Sequence, residues 1–120
     1  MPDSTIKVLT SMRERYADKI EHIVRLEKGE ELEELYVVLY ELVTTVLSAK
    51  EKADRKQQLT RSELIALKAI QRQMKRIVKK TSQTLYSPEN QTRLDLEIID
   101  ASDILHELYI VNEEVKTLIS

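Results

Sequence analysis

An all-α fold, an antiparallel four-helix bundle of long amphipathic helices, is what this chain predicts. Three observations carry the expectation. Its 120 residues include one glycine, Gly29, and two prolines, Pro2 and Pro88. Sheets need turns, and turns need Gly, Pro, Asn and Asp at special dihedrals, so a chain this poor in Gly and Pro reads as helix. Apolar residues recur at spacings of three and four, the period of one helical face. Leu, Ile and Val together number 36, well above the aliphatic content of a disordered chain, so there is enough to fill a core. The length suits one domain over residues 1–120 and is short for two.

The first helix is expected over about 4–28. Asp3 or Ser4 supplies a cap, since a short side-chain oxygen accepts from the unpaired amides of a first turn. Leu9, Met12, Tyr16, Ile20, Ile23 and Leu26 fall on one face. Gly29 is the natural stop, because it tolerates the left-handed dihedrals that end helices.

The second helix is expected over about 30–57. Glu30, Glu31, Glu33 and Glu34 suit the positive end of its dipole. Leu32, Leu35, Leu39, Leu42 and Val46 follow with 3-4 spacing, and Tyr36, Val38, Val43 and Leu47 widen the stripe. A helix apolar nearly all round is covered on more than one side.

From Lys50 to Gln58 only Ala53 is apolar, and two readings compete. Heptad arithmetic permits a three-helix coiled-coil rod in which residues 30–86 form one continuous helix. The local signature favours a break, because Thr60-Arg61-Ser62-Glu63 fits a capping box and Leu59 and Leu64 sit where a hydrophobic staple belongs. The third helix then runs over 61–85, with Leu64, Leu67, Ile70, Met74, Ile77 and Val78 inward.

Ser87-Pro88-Glu89 is a helix start, with serine as cap and proline at the first helical position. The fourth helix is expected over about 88–119. Its face is Leu94, Ile98, Ala101, Leu105, Leu108, Val115 and Ile119, with Ile99, Ile104 and Val111 beside it. Four such helices on short loops run antiparallel to their neighbours.

Cysteine is absent, which removes disulfides, thiolate nucleophiles and Cys-ligated metals together. The start of the chain lacks a basic-then-apolar signal pattern. Its longest apolar run, Leu35 to Tyr40, is far below the ~20 residues that span a bilayer. A cytoplasmic protein with no membrane association is expected.

No catalytic site is legible, so the chain is read as a non-enzyme with no cofactor, no metal and no small-molecule substrate. Asp103 and His106 are three apart and share a face, but a di-iron bundle needs paired Glu-x-x-His motifs, and this chain has none. A helical mutase gripping a dicarboxylate would use buried arginines. Arg13, Arg15 and Arg25 lie on the first helix, but nothing else in the sequence supports such a site. Phosphate loops and nucleophile elbows need more than one glycine.

Charge is the informative feature. The formal net charge is −2, yet residues 50–80 carry 11 basic and 3 acidic groups, between two acidic segments. On the third helix Lys68, Arg72, Lys75, Arg76 and Lys79 step by three and four, with Lys80 beside them. Two uses compete. One is salt-bridging to neighbouring acidic helices, where the fourth offers Asp95, Glu97, Asp100, Asp103 and Glu107. The other is a surface for a partner or for phosphates, since clustered cations release counterions from a nucleic-acid backbone. With no Phe or Trp, base stacking is poorly served, so nucleic-acid contact would be to phosphates.

Tyr36 and Tyr40, one turn apart, are candidate interface residues. Their ordinary use would be at a core edge, with buried body and wet hydroxyl. The apolar stripes of the second and fourth helices look wider than one bundle core needs. The expectation is therefore a protein-interaction module or small assembly subunit, whose partner is a second copy or another protein. The alternative is a small helical subunit binding RNA or DNA backbone through the basic face of its third helix.

Overall fold

The computed structural model describes residues 4–25, 30–90 and 98–120. Among these, every regular element is helical and no strand occurs. Four long helices follow in order: α1 Ser4–Ile23, α2 Glu30–Asp54, α3 Arg61–Leu85 and α4 Ile98–Ile119. Residues 88–90 are helical too, where the Ser87-Pro88 start was expected. Asp3, the segment from Leu26 to Gly29, and Leu94 lie outside the described residues. No described helix is long and apolar enough to cross a membrane.

Helix α1 ends at Ile23, short of the expected 28. The Val24 N–H donates to the Ile20 carbonyl at 3.0 Å, but the Arg25 N–H turns back to His22 at 3.3 Å. That tighter bond closes the last turn and satisfies a carbonyl the helix would otherwise orphan.

The break between α2 and α3 is real, and the continuous rod over residues 30–86 is overturned. Helix α2 stops at Asp54, three residues before the expected 57. The Lys56 N–H donates to the Ala53 carbonyl at 3.0 Å, and the Gln57 N–H to the Lys52 carbonyl at 2.9 Å. Lys56 itself sits at φ 58°. This is a Schellman closure with lysine in the left-handed position that glycine usually holds. Thr60 then caps α3. The Glu63 N–H donates to Thr60 Oγ1 at 3.1 Å, and the Thr60 N–H donates to Glu63 Oε1 at 2.8 Å. The reciprocal box satisfies two orphan amides.

Helix α2 packs against the other three, while α1 lies chiefly on α2 and α3 chiefly on α4. That placement explains the breadth of its apolar surface. Leu32, Leu35, Tyr36, Leu39, Leu42, Val43, Val46, Leu47 and Ala49 are all buried, on several faces, because it has neighbours on several sides. Val38 is the exception and is exposed. Helix α4 buries Ala101, Ile104, Leu108, Val111 and Val115. Ile104 and Val111, expected at the edge, are thus central to its stripe, while Leu105 and Ile119 are half-buried. Helix α3 is sparsely covered, as α1 is. Leu67, Met74 and Leu85 are buried, whereas Leu64, Ile70, Ile77 and Val78 are only partly so.

Ion pairs give two relative directions. Lys52 meets Glu63 at 2.7 Å and Lys80 meets Glu31 at 3.9 Å. These join the end of α2 to the start of α3 and the start of α2 to the end of α3, so the two are antiparallel. Lys50 meets Glu114 at 3.3 Å, pairing the later halves of α2 and α4. The molecule measures 44 × 27 × 22 Å, and its long axis accommodates the 25-residue α2, roughly 37 Å at 1.5 Å per residue.

Candidate functional site

The candidate surface is the outer side of α3. The capping box fixes where this helix starts, and its apolar positions fix which side turns inward. Lys68, Arg72, Lys75, Arg76, Lys79 and Lys80 are therefore exposed. Lys80 reaches Glu31 across α2. Among the described residues, none of the other five has a carboxylate within 4.0 Å.

Of the acids expected to neutralise this stripe, the two whose side chains lie within the described residues, Asp103 and Glu107, face α1. Glu107 takes Arg15 of α1 as its partner, and Asp103 lines a furrow beside α1. Glu114, which was not among those acids, takes Lys50 of α2. Asp95, Glu97 and the side chain of Asp100 lie outside the described residues. Among the described residues, internal salt-bridging thus accounts for Lys80 and for none of the five other cations.

Of the furrows that flank α3, two divide the stripe. On the α4 side, Lys75 and Lys79 stand over a groove of about 720 Å³. On the α2 side, Arg76 and Lys80 border a smaller one of about 280 Å³, which also contains Glu31 and Glu34. Lys68 and Arg72 line neither furrow.

The tyrosine candidates separate. Tyr36 is fully buried and packs edge-on against Tyr16, with ring centroids 5.9 Å apart. It belongs to the core, and its candidacy as an interface residue is withdrawn, because no surface remains for a partner. Tyr40 is half-buried and packs against the core edge. Tyr109, which the sequence did not single out, is 61% exposed and borders the α3–α4 groove.

A second cluster also went unseen in the sequence. Arg15 of α1 is hydrogen-bonded to Glu107 of α4, and the Tyr16 hydroxyl donates to the same carboxylate at 3.5 Å. Burial, with the Glu107 charge behind it, pushes the Tyr16 phenol well above its ordinary range. Burial opposes the charge on Arg15, but the hydrogen bond and charge of Glu107 outweigh it and raise the guanidinium pKa. The only sequence signal was the position of Tyr16 on the apolar face of α1, since its partner is 91 residues away.

This cluster lines a furrow of about 410 Å³ with Asp18, Lys19, His22 and Asp103. Arg15 is already committed to Glu107, which leaves no free guanidinium here for a dicarboxylate. Arg25 is exposed and meets Glu21 at 3.9 Å. His22 and His106 are both exposed. Among the described residues, no three of His, Asp and Glu gather as a metal-binding group. Compared with protein-family models, with curated proteins and with solved structures, the chain matches none of them.

Proposed function

We propose that the chain is a non-enzymatic interaction module, an antiparallel four-helix bundle whose α3 face docks an anionic surface of a partner protein. One observation carries this reading: five exposed cations on one helix face without an acidic neighbour among the described residues. Lys68, Arg72, Lys75, Arg76, Lys79 and Lys80 form a chain of like-charge neighbours at i,i+3 and i,i+4. Each such pair destabilises a helix by about 0.2–0.5 kcal/mol, so the stripe costs the fold roughly 1–3 kcal/mol. An anionic partner offsets that cost.

Less supports self-association. The broad apolar surface of α2 is taken up by its own neighbours, and exposed Val38 and Ile65 are isolated side chains of the kind normal on a surface. Light scattering on an eluting column tests this directly. A 14.0 kDa species at high concentration supports docking of another protein, whereas a dimer restores a second copy as the partner.

The second reading, RNA or DNA backbone, draws on the same stripe. Anisotropy titrations at 50 and 300 mM salt with poly-L-glutamate and with a mixed-sequence 20-mer oligonucleotide separate the two. The proposal predicts polyglutamate binding that weakens with salt and is lost in the Arg72→Glu/Arg76→Glu double variant. Tighter binding of the oligonucleotide, with a steep salt dependence, selects the second reading. Binding of neither polymer at 50 mM overturns both.

A further inference from the structure

The groove between α3 and α4 differs in chemistry from the other furrows of the molecule. Its floor is apolar, formed by buried Met74 and Leu108 with half-buried Val78 and Leu105. Its rim carries Lys75 and Lys79 from α3, and Tyr109 and Lys116 from α4. Lys116 is held 3.4 Å from Glu113. No acidic side chain among the described residues lines the groove, although the chain has 21 acids against 19 basic residues. The furrow by α1 contains Asp18 and Asp103, and the one between α2 and α3 contains Glu31 and Glu34. Among the described residues, an apolar floor whose charged rim side chains are all basic is therefore particular to this groove.

Length and amphipathy specify the occupant. The wall from Gln71 to Gln83 is roughly 18 Å long at 1.5 Å per residue, about three helical turns. A helix laid in a groove presents anchors at i, i+3 or i+4, and i+7, and Met74, Val78, Leu105 and Leu108 form an apolar floor for such anchors. Single-stranded nucleic acid fits less well. Its phosphates would sit over apolar side chains, and one tyrosine is a meagre stacking platform.

We infer that the α3–α4 groove binds an amphipathic helix of a partner protein, apolar on the face that enters and acidic along its flanks. Lys75 and Lys79 meet the acids, and Tyr109 closes over the apolar face from the α4 side. The inference rests on the docking role proposed for α3 and gives that role a partner class and a location.

The test is an unbiased phage-displayed library of 16-residue peptides selected against the full chain, with the winners titrated by fluorescence anisotropy. The expected consensus has apolar residues at helical spacing flanked by Asp or Glu. Tyr109→Ala and the Lys75→Glu/Lys79→Glu double variant should each weaken binding tenfold or more. Lys7→Glu, exposed on α1 and away from the α3 face, should change it less than twofold. All these positions are exposed, and circular dichroism with thermal melting verifies that each variant folds. The inference is overturned by a selection without that consensus, by peptides indifferent to Tyr109→Ala, or by displacement of the best peptide by the 20-mer oligonucleotide. Polyglutamate binding that survives such a result leaves the docking role standing and removes only the groove. Its absence removes the role itself.

Discussion

At the scale of single residues, the junction before α3 shows how one carboxylate serves two purposes. Glu63 accepts from Lys52 Nζ at 2.7 Å and from the Thr60 N–H at 2.8 Å. The Lys52 hydrogen bond first, and the Thr60 backbone bond second, hold its carboxyl at about 2, below the usual carboxylate range. A carboxyl depressed in the folded state contributes stability that is present above its unfolded value, near 4.3. That contribution is lost as pH falls through the folded value. Melting temperatures of the wild type and of Glu63→Gln, followed by circular dichroism, should therefore differ most above pH 4.5. The gap should close as pH falls from about 4.5 to 2, and a gap independent of pH over that window would contradict the assignment. The box was legible because its parts are local, a hydroxyl and a carboxylate three residues apart. The Lys52 contact was not, since it depends on how the chain returns after the turn.

At the scale of elements, the two sides of the break between α2 and α3 differed in legibility. The α3 start was readable to the residue because capping chemistry leaves a signature in residue type. The α2 stop left none. Lys56 occupies the left-handed position at φ 58°, where glycine or asparagine would have announced the end, and the charged run from Lys50 to Gln58 is compatible with helix. A non-glycine residue there bears backbone strain of order 1–3 kcal/mol. Lys56→Gly relieves it and loses a little to unfolded-chain entropy. We expect the variant to be more stable by roughly 0.5–2 kcal/mol in urea unfolding, the relieved strain of about 1–3 kcal/mol less the roughly 0.5–1 kcal/mol that glycine costs in chain entropy. Stability that stays level or falls would mean that the lysine side chain contributes at this turn. The stripes of α1 and α2 were also legible, because spacing reports the face. On α4 the stripe was placed slightly off centre, since a row of aliphatics wider than one face leaves its midline undefined until neighbours choose it.

At the scale of the whole molecule, spacing reports which face a charge lies on but not which neighbour it meets. The basic stripe on α3 was legible as a stripe. That five of its six cations lack an acidic partner among the described residues was not, because Glu107 and Glu114 turn to Arg15 and Lys50 for reasons set by helix order around the core. That order has α2 in the middle, so its broad apolar stripe, expected to need a partner, is covered by its own neighbours, and α2 is where cooperativity should reside. Leu39 is fully buried on it. Truncating a buried leucine costs about 2–5 kcal/mol, against a total of about 5–15 kcal/mol for an ordinary domain. Leu64, half-buried on the first turn of α3, should cost clearly less. Native-state hydrogen exchange then discriminates between a shared core and loosely joined pairs. With a shared core, amides from Leu35 to Leu47 exchange only through global unfolding, and Leu39→Ala lowers the opening free energy of protected amides in α1, α3 and α4 by a similar amount. If α1 and α2 form one unit and α3 and α4 another, the substitution will leave the α3 and α4 amides at their wild-type rates. The contacts of α2 with both α3 and α4 argue for the first outcome.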